Sequence, residues 1–150
     1  MSYDLMVFEP DAVPVRHDEF LDWYALQTKW TEDHGYDDPA ITTEHLRAWF
    51  QDMIQIFPPM NGSDQLAKDE NSSTDYAIGT SFVYASFAWS KSEAAYMTVA
   101  RLAEKHSLGL FNASSTGEEV WLPEDGRIAL AHDKGPPTLV GRIKSFLTFE

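Results

Sequence analysis

The chain has no cysteine among its 150 residues. Disulfide bonds, thiolate catalysis and cysteine-based zinc sites are therefore excluded. A cysteine-free sequence fits a reducing compartment, so we expect a cytoplasmic protein, while a bacterial periplasmic location stays open. The length suits one domain, residues 1–150, which can bury roughly 70% of its unfolded surface without covalent cross-links.

Long hydrophobic runs are also absent. No segment approaches the roughly 18 consecutive apolar residues of a transmembrane helix. Residues 1–7 carry neither a basic segment nor a long apolar stretch, so the sequence predicts no signal peptide. We therefore expect no membrane partner.

Basic residues are scarce. The chain has 11 lysines and arginines against 24 aspartates and glutamates, a formal net charge of −13. Residues 1–75 hold sixteen of the acids and only four bases, a net charge of −12, whereas residues 76–150 are close to neutral. Such a field repels nucleic acid and attracts cationic proteins, so we expect no nucleic-acid partner. The same acidity in other soluble proteins only maintains solubility.

The motifs of common active sites are missing. The sequence contains no glycine-rich phosphate loop, no Gly-x-Ser-x-Gly and no His-Glu-x-x-His, and its five histidines lack metal-ligand spacing. His34 with Asp37 or Asp38 has the ligand types of a metal site, but such a segment more often forms a turn whose aspartates bond their own backbone. We assign no catalytic, cofactor-binding or metal-binding residue, expect no cofactor, and predict that the protein is not an enzyme.

The first half of the chain predicts one strand and two helices. Apolar strand formers cluster near the N-terminus, and two later segments repeat apolar residues every three to four positions. Prolines stop the second of these helices. In order, the pattern predicts a strand at 3–9, a helix at 16–31, a loop at 34–39, a helix from Thr42 or Thr43 to Phe57, and a mobile polar loop at 60–74.

The second half predicts mostly β-structure. Residues 82–89 carry aromatics on both alternating faces, which indicates a central strand, and Gly79 either divides two strands or marks a bulge. Ser90 and Glu93 match a capping box at the start of a helix, and Gly109 is predicted to end that helix in a left-handed conformation. The predicted elements are a divided strand at 75–89, a helix to about 106, strands at 108–113, 120–122 (closed by Pro123) and 127–131, and a helix at about 138–148.

This order of elements predicts an α+β fold. Its helices and strands are segregated along the chain, and most of its strand connections are short enough for hairpins. The expected architecture is a two-layer sandwich in which helices pack against a mostly antiparallel sheet. It corresponds to a ferredoxin-like variant with one additional helix.

Five segments of the chain resemble a family of small, uncharacterised bacterial proteins. They are residues 3–8, 36–39, 57–62, 75–79 and 120–123, and the likeness spans residues 1–123. Some members of this family are similar to immunity proteins of secreted polymorphic toxins, including neisserial ones. The resemblance implies a protein that binds and neutralises a toxin domain, and it brings no active-site residue with it.

Two functional hypotheses follow. The first is an acidic protein that neutralises a basic partner, such as a nuclease toxin domain, through aromatic anchors within a rim of carboxylates; for Trp23 and Trp49 we favour a place in the core. The second is a small-molecule binder or enzyme with a sheet–helix pocket lined by Tyr84, Trp89 and histidines. An unrelated intracellular role and the oligomeric state stay open. The candidate partner-binding residues are Asp33, Asp37, Asp38, Asp64, Asp69 and Glu70.

Overall fold

The computed structural model describes residues 2–59 and 74–133. The predicted loop at 60–74, apart from Thr74, and the predicted helix at 138–148 lie outside these residues. The described part contains six strands and three α-helices. They are β1 (Ser2–Phe8), α1 (His17–Gln27), α2 (Glu44–Ile56), β2 (Asp75–Ile78), β3 (Phe82–Ala88), α3 (Ser92–Lys105), β4 (Gly109–Phe111), β5 (Val120–Glu124) and β6 (Arg127–His132).

The strands form one sheet in which every neighbouring pair is antiparallel. Their order is β2-β3-β1-β4-β5-β6. The first four follow the order of a ferredoxin-like sheet, and the β5–β6 hairpin extends it at one edge. The predicted α+β fold, with helices packed on a mostly antiparallel sheet, is confirmed. Pro123 does not close β5 as predicted, because β4 pairs only with Val120 and Trp121 and so needs no N–H from Pro123.

Strand β1 is buried on both faces because helices cover both sides of the sheet. Successive strand side chains alternate between faces, so Leu5 and Val7 join the core under α2 and α3. Met6 and Phe8 point the other way and pack with Phe20 of α1. The additional helix of the predicted ferredoxin-like variant is therefore α1, which forms a third layer on its own side of the sheet, where the sequence predicted two layers.

Strand β3 is the central, doubly covered strand that its sequence predicts. Phe82 packs on the α1 side and Val83 on the α2–α3 side, and both are fully buried. Gly79 separates β3 from β2, as expected. A Cβ atom at Gly79 would lie 2.1 Å from the Phe82 ring, so the hairpin bend needs a residue without a side chain there.

The two predicted helix starts differ in outcome. Thr43 caps α2, and its hydroxyl accepts a hydrogen bond from the backbone N–H of Leu46 at 3.3 Å. The capping box at Ser90 is wrong. The chain already turns at Trp89 into a short 3-10 helix, so Ser90 lies inside that turn, and α3 begins at Ser92 without a side-chain cap.

The end of α3 also differs from the prediction. The left-handed residue is Ser107, with a φ of 57°, and not Gly109. The N–H of Leu108 bonds to the carbonyl of Ala103 at 2.9 Å, which closes the helix end in a Schellman arrangement. Gly109 has another role, because a Cβ there would lie 2.3 Å from the ring of Phe8.

Candidate functional site

Helix α1 separates a buried side from an acidic side. Phe20 is buried against the sheet, while Asp18, Glu19 and Asp22 are exposed to solvent. The first two lie in the first turn of the helix, where carboxylates complement the positive end of the helix dipole. The acidic residues of α1 therefore lie on its outer surface, and none of these carboxylates is buried in the core.

Trp30 follows the end of α1 in an unusual conformation. Its φ is 56°, a left-handed value that is unfavourable for a bulky residue by about 1 kcal/mol or more. The ring lies 5.3 Å from Tyr36, 6.3 Å from Phe82 and 5.6 Å from Tyr84. These contacts hold the residue in place, yet 40% of Trp30 stays exposed.

The loop after Trp30 is attached to the β2–β3 hairpin. Glu32 accepts hydrogen bonds from the backbone N–H of Thr80 at 3.1 Å and from its hydroxyl at 3.4 Å. The same carboxylate pairs with the Nε2 atom of His34. Tyr36 accepts a bond from the N–H of Glu32 at 2.8 Å, and its carbonyl accepts one from the N–H of Ile78 at 2.8 Å. The loop therefore has a defined path along the α1 side.

The environment of His34 favours the charged imidazolium. The backbone carbonyl of Gly35 and then the carboxylate of Glu32 raise the pKa of His34 above its ordinary value, and the charge of Asp33 adds to this. His34 is thus engaged with Glu32 and not with Asp37 or Asp38. Within residues 2–59 and 74–133, no group of three or more metal-ligating side chains is placed to hold a metal ion.

Arg47 is occupied by the backbone at the end of this loop. Its guanidinium donates to the carbonyls of Pro39 at 3.1 Å, Ala40 at 3.3 Å and Thr42 at 2.8 Å. Asp38 accepts from the N–H of Ala40 at 2.9 Å and caps the short 3-10 turn there. A turn in which an aspartate side chain bonds its own backbone is also the structure that the loop sequence favours. It also leaves Arg47 bound to carbonyls and not paired with the loop carboxylates.

Three of the six predicted partner-binding residues lie in the described part of the chain. Asp33, Asp37 and Asp38 are all exposed and share the loop between Trp30 and α2. The structure therefore places these three on one exposed loop, whose Tyr36 packs on the α1 side. The other three lie outside the described residues: Asp64, Asp69 and Glu70.

Negative charge collects on the α1 side of the sheet. Residues 10–38, which contain α1 and the following loop, hold eight acidic and two basic residues, a formal net charge of −6. Of these two bases, Arg16 pairs with Asp18 at 3.0 Å. Helices α2 and α3 on the other side hold four acids and three bases. There Asp52 is paired with Lys105 at 2.9 Å. The two surfaces therefore differ in charge.

A second feature of the α1 side is a group of three rings beside one carboxylate. The ring of Tyr84 lies 5.6 Å from that of Trp30, nearly perpendicular to it, and 6.4 Å from that of Tyr24. The hydroxyl of Tyr84 donates to Oδ2 of Asp4 at 2.6 Å. Burial, together with the negative charge of Asp4, raises the pKa values of Tyr24 and Tyr84. We call Tyr24, Trp30, Tyr84 and Asp4 the aromatic corner.

The pocket predicted from Tyr84 and Trp89 does not form. Trp89 contacts Tyr3 with a ring distance of 5.2 Å, and Tyr3 belongs to the α2–α3 side of the sheet, opposite Tyr84. The residues of one strand alternate in direction, and β3 ends before Trp89, so the two aromatics diverge. Near Tyr3, burial and the charge of Asp133 raise the pKa of Glu119.

Sequence reasoning did not select the aromatic corner. Asp4 was available as a signal, since it is the one charged residue in an otherwise uncharged strand, and a half-buried carboxylate needs specific partners. Tyr24 and Tyr84 carried no comparable signal because both fit an ordinary core pattern. Their contact depends on how α1 crosses the sheet.

Comparison with known proteins gave no relative: no family model, curated protein or solved structure matches the chain. In the part of the chain that the structure describes, no helix has the length and apolar character needed to cross a membrane.

Proposed function

We propose that the chain is a binding protein that neutralises a basic protein partner, such as the nuclease domain of a toxin. The observation that carries this proposal is the charge of the α1 side, where residues 10–38 have a formal net charge of −6. A nuclease binds an anionic substrate and so presents a cationic surface. An acidic inhibitor uses the same field for fast and selective association.

Exposed apolar residues lie within this acidic surface. Leu26 of α1 is 55% exposed and Trp30 is 40% exposed. Asp22 lies one helical turn before Leu26, and Asp33 follows Trp30 by three positions. A few large apolar anchors within a polar rim form the usual energetic centre of a protein interface.

The two kinds of residue have different expected roles. Carboxylates at the rim, such as Asp33 and Asp37, accelerate encounter with a cationic partner and make the association rate sensitive to salt. Leu26 and Trp30 become desolvated in the complex and slow its dissociation. The likeness to immunity proteins in the segments quoted above agrees with this arrangement.

The test compares two double charge reversals. The full-length chain is used to capture partners from its native host, and the association rate of the captured basic protein is measured at low and high ionic strength. Asp33→Lys with Asp37→Lys should slow association about tenfold or more at low salt. Asp38 is left intact because it caps a turn.

The matched control is Glu124→Lys with Asp125→Lys, which makes the same charge change at exposed residues of the β5–β6 turn. It should have a much smaller effect. Equal effects of the two variants, or the absence of any basic protein in a low-salt capture, would contradict the proposal. An association rate that does not depend on salt would also contradict the proposed role of the carboxylates.

A further inference from the structure

Building on the proposed function, we infer that the aromatic corner recognises the alkylammonium group of a lysine side chain presented by the basic partner. The corner consists of Tyr24, Trp30, Tyr84 and Asp4. It lies on the acidic side of the sheet, and Trp30 belongs both to it and to the proposed interface.

The ring geometry favours a compact cation. The planes of Trp30 and Tyr84 meet at 86° with ring centres 5.6 Å apart, an edge-to-face pair, in which the partly exposed Trp30 is the ring that a small cation would contact. Tyr24 and Tyr84 are within 24° of parallel at 6.4 Å. A planar guanidinium stacked between two rings needs about 3.5–4 Å on each side, which this gap does not provide. The corner therefore fits an ammonium better than a guanidinium.

The carboxylate of the corner lacks a positive partner. Its Oδ1 accepts from the hydroxyl of Ser2 and its Oδ2 from that of Tyr84, each at 2.6 Å. Among the described residues, Asp4 forms no ion pair with lysine, arginine or histidine. The hydroxyl donors satisfy its hydrogen bonds without neutralising its charge. A bound ammonium would supply the neutralising positive charge at this half-buried position.

A second carboxylate extends this field across the sheet. Asp4 of β1 is paired in register with Ser86 of β3, and Ser86 is paired with Asp75 of β2. Residues paired in this way point to the same face of a sheet. Asp75 is exposed, so the approach to the corner from the β2 edge is also negative.

The backbone conformation of Trp30 independently supports a binding role for its ring. A φ of 56° suits glycine or asparagine, and a tryptophan there is strained. The ring packs on Phe82 and Tyr36, while 40% of the residue remains exposed to solvent. Trp30 is thus strained and partly exposed, and its neighbour Tyr84 donates to the carboxylate of Asp4, an arrangement that favours the binding of a cation.

The experiment is an NMR titration of the full-length chain with Nα-acetyl-lysine methylamide. The matched probe is its neutral analogue, in which Nε is also acetylated. We expect the charged probe to bind with a Kd of about 1–10 mM, to shift the indole signal of Trp30, and to bind at least about fivefold tighter than the neutral analogue. Equal binding of both probes by the unmodified chain would overturn the inference without any variant.

Variants then locate the site. Asp4→Asn and Trp30→Leu should each weaken binding about fivefold or more. Trp89→Leu removes an exposed ring on the opposite side of the sheet and should have no effect. Loss of binding in Trp89→Leu, with none in Trp30→Leu, would also overturn the inference.

Two further outcomes separate this inference from the proposed function. An acetyl-arginine methylamide probe that binds more tightly than the lysine probe would contradict the assignment of an ammonium. The variant with Asp33→Lys and Asp37→Lys should still bind the lysine probe while it loses fast association with the protein partner. Failure of the probe with intact partner binding would therefore reject the corner alone, and the converse result would reject the proposed function alone.

Discussion

The side chains of Asp52 and His106 join α2 to the end of α3. Nε2 of His106 lies 2.7 Å from Oδ2 of Asp52, and Nζ of Lys105 lies 2.9 Å from the same oxygen. Hydrogen bonds from His106 and then from Lys105 hold the pKa of Asp52 below its ordinary value of 3.8. On this side of the sheet one acid, Asp52, thus has two neighbouring hydrogen-bond donors, Lys105 and His106.

Replacing Asp52 with asparagine should weaken the fold at neutral pH. Because the side chain is 35% exposed, solvent screens the pair, and we expect a loss of about 0.5–1 kcal/mol in the free energy of unfolding. A depressed pKa contributes stability above the unfolded pKa that is lost as the pH falls through the folded value. Urea unfolding at pH 7 and near pH 3 should therefore show the variant's deficit shrinking in acid. Asp22→Asn, at an exposed position of α1, is the control and should have little effect at either pH.

The titration of His34 should depend on Glu32. Because the Gly35 carbonyl and Glu32 raise its pKa, NMR of the imidazole should give a midpoint above 6.5, and Glu32→Gln should lower it. A raised pKa stabilises the loop below the unfolded value near 6.5, and this contribution is lost as the pH rises through the folded value. Asp37→Asn should shift the midpoint far less. Identical midpoints in the parent and Glu32→Gln would show that the pair does not form in solution.

Removing the side-chain hydroxyls of Thr43 and Ser90 in separate variants distinguishes the observed helix cap from the predicted cap that does not form. Thr43→Ala removes the acceptor for the N–H of Leu46 and the hydroxyl bonded to Glu9, and it should cost about 1–2 kcal/mol. Ser90 lies inside a short turn and caps no helix. Ser90→Ala should therefore change the free energy of unfolding by no more than about 0.5 kcal/mol. Chemical unfolding of both variants measures the difference. Equal losses would mean that Ser90 acts as the cap that its sequence suggests.

Adding one methyl group at Gly109 should disturb the central sheet. The new Cβ would lie 2.3 Å from the ring of Phe8, so Gly109→Ala should destabilise the protein by about 1–3 kcal/mol. Phe8→Leu makes room, and the double variant should lose less than the sum of the two single losses. A double-mutant cycle measures this coupling. Strictly additive losses would contradict the close approach of the two residues.

Local patterns in the sequence were sufficient to place most elements of the described part. The two apolar faces of residues 82–89 predicted the buried strand β3. The spacing from Leu46 to Phe57 predicted α2 with a cap at Thr42 or Thr43, and the structure has Thr43. The exposed loop with Asp33, Asp37 and Asp38 was also predicted. These predictions are correct because side-chain periodicity and capping depend on neighbours only a few residues apart.

Only the tertiary structure decided which side chains meet. Asp4 and Tyr84 lie 80 positions apart, and their bond follows from the pairing of β1 with β3. Trp30 reaches the same place because α1 crosses the face of the sheet opposite α2 and α3. The sequence by itself determined the elements and an excess of negative charge, since these depend on composition and local spacing. Strand order and the choice of face depend on burial summed over distant residues, so the aromatic corner and the one-sided charge emerge only in the folded chain.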